Sequence, residues 1–171
     1  MSVLDKVSDR AGDGGDPGWQ IVRATIDDVH RLAPLVRAYW RAEEIPAPHG
    51  SQISETLARL LPMTEHCACW LAIADGRPVG YLLAVYVLSL EHLGMTAEID
   101  ECFVRDDQRG RGLGAALLAT AEDEFRSRGC INASMQVARL NEGAQRFYAR
   151  QGYGARSRYM LMDKALTHGP R

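Results

Sequence analysis

A glycine-rich run in mid-chain, Val104-Arg105-Asp106-Asp107-Gln108-Arg109-Gly110-Arg111-Gly112-Leu113-Gly114, joins a strand-like segment to a helix-like one. Residues 97–104 read as a strand, and Leu113, Leu117, Ala121 and Phe125 then recur at helical spacing. Glycine permits close approach of a ligand. The first N–H groups of a helix have no acceptor within it, and the helix dipole adds positive potential there. A strand, glycine loop and helix N-terminus in that order therefore invite anionic oxygens. The spacing Gly110-x-Gly112-x-x-Ala115 also matches a dinucleotide-binding fingerprint in form. Two features count against that reading: the loop follows an apparent antiparallel meander, and residues 131–137 lack the terminal acid that would hold a ribose. No Gly-Lys-Ser/Thr follows, which excludes a Walker loop. A glycine turn with no ligand is the plain alternative.

The rest of the chain sorts into elements around this loop. Residues 19–24 predict a first strand, and Thr25 with Asp28 forms a shortened capping box for the next helix. Ile26, Val29, Leu32, Val36 and Tyr39 follow helical spacing, and Pro34 is expected to kink or split that helix. Pro46 and Pro48 mark residues 43–50 as loop. Ser51 opens a second helix that Pro62 stops. Strands are predicted over 67–74 and 79–89, joined by the turn Asp75-Gly76-Arg77-Pro78. Beyond the third helix, which Gly129 ends, come a strand (131–137), a short helix (141–151) and a last strand (159–163). The order β-α-α-β-β-β-α-β-α-β predicts an α/β fold of the mixed-sheet kind, with helices flanking the sheet. Residues 1–18, rich in Asp and Gly, read as a disordered tail, residues 19–165 as one domain and 166–171 as a C-terminal tail.

With 171 residues, 46% hydrophobic and 25% charged, the chain has a globular composition and enough length for a core without metal or disulfide staples. No apolar run reaches membrane-spanning length, and the N-terminus lacks the apolar core of a secretory signal. A cytoplasmic chain with reduced thiols and no membrane partner is expected, and the four cysteines show no metal-ligand spacing. The net charge of −2 hides an asymmetry: 15 acids against 8 bases up to Val104, and 7 against 12 from Arg105 onward. Such a chain can grip an anion with one half and a cation with the other. Nucleic acid is not expected, because no basic face interleaved with aromatics is visible.

The string Arg109-x-x-Gly112-x-Gly114 after Phe103-Val104 resembles the acetyl-CoA pyrophosphate loop of the GNAT superfamily of N-acetyltransferases. A second block, Asn141-x-x-Ala144-x-x-Phe147-Tyr148-x-x-x-Gly152-Tyr153, is similar to that superfamily's N-x-x-A-x-x-F-Y-x-x-x-G-F helix and strand. The two blocks cover about residues 96–155 in the expected order. The resemblance implies a central, mostly antiparallel, splayed sheet flanked by helices, with pantetheine lying in the wedge like an extra strand. It implies that the backbone of Cys102, Phe103 and Val104 holds the pantetheine amides and acetyl carbonyl. Backbone N–H groups from Arg109 through Gly110, Arg111, Gly112, Leu113 and Gly114 would hold the pyrophosphate, with charge added by Arg109 and Arg111. Asn141 would bond to the cofactor arm. Acetyl-CoA is then the co-substrate, an amine the acceptor, and a homodimer is allowed by analogy with relatives.

Amide formation from an amine needs two proton movements and no metal. A lysine-type amine has a pKa of about 10.4, so a base must take its proton, and the departing thiolate needs an acid. By resemblance Tyr148 is that acid. Regular strand alternation would put Glu98, Asp100 and Cys102 on one face and Ile99, Glu101 and Phe103 on the other. Glu98 matches the glutamate of the histone-acetylating branch, Asp100 that of the polyamine branch, and Glu101 a position often acidic in small-molecule branches. Gln136 stands where the branch acetylating ribosomal-protein N-termini carries its glutamate, which weakens that assignment. Cys102 lacks an activating histidine. Cys67 and Cys69 read as core thiols, and Tyr39, Trp40, Glu43 and Glu44 fall in the region that shapes acceptor choice. The expected activity is acetyl transfer to a small cationic amine, with a protein amine or a non-catalytic acyl-CoA-binding module as alternatives.

Overall fold

A computed structural model of the chain describes residues 18–46 and 50–166. Of the tail expected over residues 1–18, residues 1–17 lie outside the described residues, as do residues 47–49, with Pro48, and residues 167–171. Five strands, β1 (Trp19–Arg23), β2 (Cys67–Ala74), β3 (Arg77–Ser89), β4 (Gly94–Val104) and β5 (Asn132–Met135), form one sheet in chain order. The first four pair antiparallel and β5 runs parallel to β4. Four helices flank it: α1 (Val29–Ala42), α2 (Gln52–Leu60), α3 (Leu113–Ser127) and α4 (Glu142–Arg150).

Local chemistry accounts for the turns. Asp75 and Gly76 both adopt left-handed φ (49° and 70°), the pair of values a two-residue hairpin turn demands. The Thr25 backbone N–H donates to Asp28 Oδ2 at 3.0 Å, so the capping box forms and opens a 3-10 turn ahead of α1. Pro34 does not split the helix: α1 runs through it to Ala42, at the cost of the one rung to the His30 carbonyl that proline cannot make.

Every residue of β2 is buried, because helices cover both faces of the sheet. On one face α3 presses Leu113, Leu117, Leu118, Ala121 and Phe125 against Trp70, Leu82, Ala84 and Ile99. On the other, Leu32, Leu35 and Val36 of α1 and Ile53 and Leu57 of α2 meet Leu71, Tyr81 and Phe103.

Two sequence expectations are corrected. Leu83 faces Glu101 but Ala84 faces Ile99, so Asp100 is an extra residue, a β-bulge in β4. A bulge reverses side-chain alternation across it. Ile99 therefore shares a face with Cys102 and Val104, while Phe103 packs on the α1/α2 side with Tyr81 and Leu83. Glu98 and Cys102 are thus on opposite faces, contrary to simple alternation. The expected strand over 159–163 does not form; those residues take no regular structure and are exposed, since β5 ends the sheet and no described segment pairs with its outer edge.

A polar tie joins β1 to α3. Glu124 accepts from Arg23, from Arg128 Nε at 2.9 Å and from the Tyr86 hydroxyl at 3.1 Å, while Arg23 lies 5.0 Å over the Trp70 ring. Burial raises the Glu124 pKa, but the Arg23 and Arg128 guanidiniums and the Tyr86 hydroxyl outweigh it and hold the carboxyl below its ordinary value. A depressed carboxylate adds stability above the unfolded pKa, about 4.3, and that stability is lost as pH falls through the folded value. Thermal melts below about pH 4.3 should therefore show a steeper fall in Tm for the wild type than for Glu124→Gln. Parallel curves would remove this tie from the acid sensitivity.

Candidate active site

Parallel pairing between β4 and β5 stops at Ile99↔Met135. Beyond it the two chains separate: Asp100, Cys102, Phe103 and Val104 line one wall of a cleft of about 620 Å³, and Met135, Gln136, Val137 and Ala138 line the other. The bulge at Asp100 sits where the wedge opens. Gly80 lets β3 approach β4 closely at this level, since a Cβ there would stand 2.6 Å from the Phe103 carbonyl oxygen.

The glycine loop forms the mouth of this cleft. Gly110 (φ 78°) and Gly112 (φ 84°) are left-handed, and Gly112 is the N-cap of α3. Among the described residues, none accepts a bond from the backbone N–H groups of Gly110 through Ala115. Arg109 folds back, donating from Nε to the Val104 carbonyl at 3.0 Å and pairing with Asp106 at 2.8 Å. Arg111 is exposed and donates to Gln108 Oε1 at 2.5 Å. Asn141 caps α4: its Oδ1 accepts from Ala144 N–H at 3.0 Å, leaving Nδ2 directed at Glu43 at 3.4 Å.

α4 brings Tyr148 into the cleft beside Phe147 and Tyr153, at ring separations of 5.0 and 5.9 Å. Its hydroxyl interacts with the Cys102 thiol. Burial, then the neighbouring thiol, raises the Tyr148 pKa, so the phenol keeps its proton at any ordinary pH. Burial likewise pushes the Cys102 thiol up to about 11, which leaves it a poor nucleophile near neutrality.

The acidic residues of β4 separate into three environments. Glu101 is clamped: Trp40 Nε1 donates to Oε1 at 2.5 Å, and the Tyr81 hydroxyl donates to Oε2. Burial raises its pKa and these two donors oppose the rise. Asp100 is exposed where the wedge opens, yet the adjoining walls partly desolvate its carboxyl, which with the Glu98 charge moves its pKa up. Glu98 accepts from Gln136 Nε2, at 3.5 Å, on the other wall. Asp100 alone of the three lines both the main cleft and a second one of about 510 Å³ between β4, α1 and α2, whose walls include Trp40, Glu55 and Glu101. Sequence reasoning placed Trp40 near the acceptor but missed Tyr81, Glu55 and the cleft-lining Arg150. Tyr81 reads as one more apolar-strand aromatic.

A sheet splayed beside a helix-capping glycine loop with unpartnered N–H groups defines an acyltransferase-type architecture. The chain belongs to the acetyltransferase (GNAT) family, whose profile matches residues 32–153. It is 35% identical over 96 residues to the aminoalkylphosphonate N-acetyltransferase of Salmonella typhimurium, a match spanning 56% of this chain and 61% of that one. An uncharacterised N-acetyltransferase of Archaeoglobus fulgidus is 29% identical over 77% of this chain and 90% of its own. Among solved structures, an integron cassette protein from a salt-marsh metagenome superposes with a TM-score of 0.77 at 27% identity, covering 88% of this chain and 92% of that one. An aminoglycoside acetyltransferase from a soil metagenome, solved with sisomicin, shares the fold at a TM-score of 0.74 and 18% identity, over 88% and 97% of the two chains.

Proposed function

We propose that this chain is an acetyl-CoA-dependent N-acetyltransferase acting on the primary amine of a small cationic molecule by direct attack on the thioester. The observation that carries the reading is the junction at Asp100: a cleft with unpartnered backbone donors at one end meets a second, acid-lined cleft there. Acetyl-CoA fits these residues, and when bound it supplies the activated acyl group. The N–H groups of Gly110–Ala115 bind its diphosphate, and the backbone of residues 102–104, which β5 leaves unpaired, takes the amides of its arm. Asn141 and Arg109 line the same cleft, and Arg111 projects from the loop beside Gln108.

On the acceptor side, Glu101 is fixed by two donors and acts as an anionic anchor for an ammonium group, with Glu55 adding charge. Asp100 takes the amine's proton; its raised pKa brings it nearer to a working base than an ordinary aspartate. Glu98 reinforces that rise by its charge. Tyr148 keeps its hydroxyl proton and donates to the sulfur as it leaves. Cys102, held as a thiol, takes no acyl group, so transfer is direct. The Salmonella relative is named for aminoalkylphosphonates, whose amine is the same reacting group.

A panel of diamines, aminoglycosides, aminoalkylphosphonates and lysine peptides, with free thiol release followed, tests the reading. Small cationic amines should turn over fastest. Asp100→Asn should lower kcat/KM by about 10²-fold and abolish the acidic limb of its pH profile. Preferred peptide acetylation would move the assignment to a protein acetyltransferase; tight CoA binding with no turnover on any amine would make the chain a binding module.

A further inference from the structure

The chain has six tyrosines, all within the described residues. Five of their hydroxyls are engaged. Tyr81 donates to Glu101, Tyr86 to Glu124 at 3.1 Å and Tyr153 to Glu122 at 3.0 Å. Tyr148 meets the Cys102 thiol, and Tyr159 meets the Arg156 guanidinium. The Tyr39 hydroxyl alone has no hydrogen-bond partner among the described residues. A half-buried hydroxyl left so is satisfied by water or by a ligand.

The ring of Tyr39 is nonetheless fixed. It sits near the end of α1, edge-on to Tyr81 at 6.5 Å and tilted on Phe103 at 6.0 Å. Tyr39 and Glu43, one helical turn on, line the main cleft, while Trp40 lines the second one. The two adjacent aromatics thus straddle Asp100, the acid common to both clefts. Tyr39 is on the cofactor side of that divide, in the cleft that also holds Cys102 and Tyr148. Burial first, then the charges of Glu43, Glu101 and Asp100, push its pKa up to about 12, so it stays a neutral phenol. Two of those carboxylates have donors elsewhere: Glu43 accepts from Asn141 Nδ2 at 3.4 Å, and Glu101 from Trp40 and Tyr81.

The surrounding charge decides what this hydroxyl serves. Three carboxylates oppose negative charge growing on a carbonyl oxygen placed among them, and they attract an ammonium group. We infer that Tyr39 is a catalytic contact of the acceptor, its hydroxyl oxygen accepting a hydrogen bond from the reacting amine nitrogen beside Asp100, where the two clefts meet. The inference rests on the acetyl transfer proposed above. A primary ammonium gives one of its three protons to Asp100; Tyr39 holds one of the two that remain, which orients the nitrogen and leaves its new lone pair free to attack.

Tyr39→Phe removes the oxygen and keeps the ring contacts on Tyr81 and Phe103. With the amine that turns over fastest in the panel above, kcat/KM for that amine should fall about tenfold, the effect of losing one hydrogen bond. The KM for acetyl-CoA and the calorimetric Kd for CoA should stay within about twofold of wild type. The acidic limb of the pH profile should keep its midpoint, since the shift at Asp100 comes from burial and Glu98. A packing role would instead lower Tm and CoA affinity along with the rate. Tyrosine isotope-labelled at the ring carbon bearing the hydroxyl gives a reading without turnover. The Tyr39 resonance, assigned by its absence in Tyr39→Phe, should shift when the amine is added to the CoA-bound wild type. Equal kcat/KM for the amine in variant and wild type, a loss confined to CoA affinity, or a Tyr39 resonance that the amine does not move would each overturn the inference and leave acetyl transfer standing. A wild type that turns over no amine would remove the proposed function and this contact with it.

Discussion

Tyr148→Phe should lower kcat by about 10²-fold or more while the Kd for CoA changes by less than about threefold. The substitution removes one oxygen and keeps the ring, so the packing on Phe147 and Tyr153 that seats α4 survives. What is lost is the phenol whose hydroxyl meets the Cys102 thiol, a donor whose raised pKa keeps its proton in place through the working range. A free thiol has a pKa of about 8.5, so its thiolate is a tolerable leaving group but a better one with a donor at hand. The deficit should therefore shrink for acyl donors whose thiol is more acidic. Stopped-flow thiol release with acetyl-CoA, alongside calorimetric CoA binding, separates chemistry from binding. Equal turnover in mutant and wild type would take Tyr148 out of the mechanism.

The glycine loop, its helix and the Asn141–Tyr153 block were legible in the sequence because each depends on local signals: glycine at positive φ, a cap, and an apolar stripe at period 3.6. The bulge at Asp100 was not. Nothing in Glu98-Ile99-Asp100-Glu101-Cys102 says which residue is unpaired, because the register is fixed by β3 across the ladder. That one extra residue decides which acids share a face, so simple alternation could not tell that Glu98 and Cys102 lie on opposite faces. The Glu101 clamp has the same origin, for Trp40 and Tyr81 are 61 and 20 residues away in the chain. The failed last strand is a third case. Tyr159–Met162 has strand composition, but a strand needs a partner edge, and none of the described strands supplies one to it. Local pattern gave the elements; long-range pairing set what the acids can do.

Gly112→Val should weaken CoA binding by about tenfold or more, and Gly129→Val supplies the control that gives this meaning. Both glycines have left-handed φ, 84° and 76°, both flank α3, and a Cβ at either meets nothing within 4 Å. The backbone strain of a branched residue at positive φ, about 1–2 kcal/mol, is thus common to the two, and both variants should lose similar Tm. Of the two, only Gly112 lines the cleft, amid the N–H groups from Gly110 to Ala115 that have no acceptor among the described residues. A side chain there takes space that a diphosphate needs, and relief of its strain would rotate those N–H groups away. If calorimetry finds CoA affinity lowered equally by the two changes, the loss comes from general destabilisation of α3 and the loop is not the anion cradle. If only Gly112→Val loses affinity while the two melt alike, the cradle is located by difference.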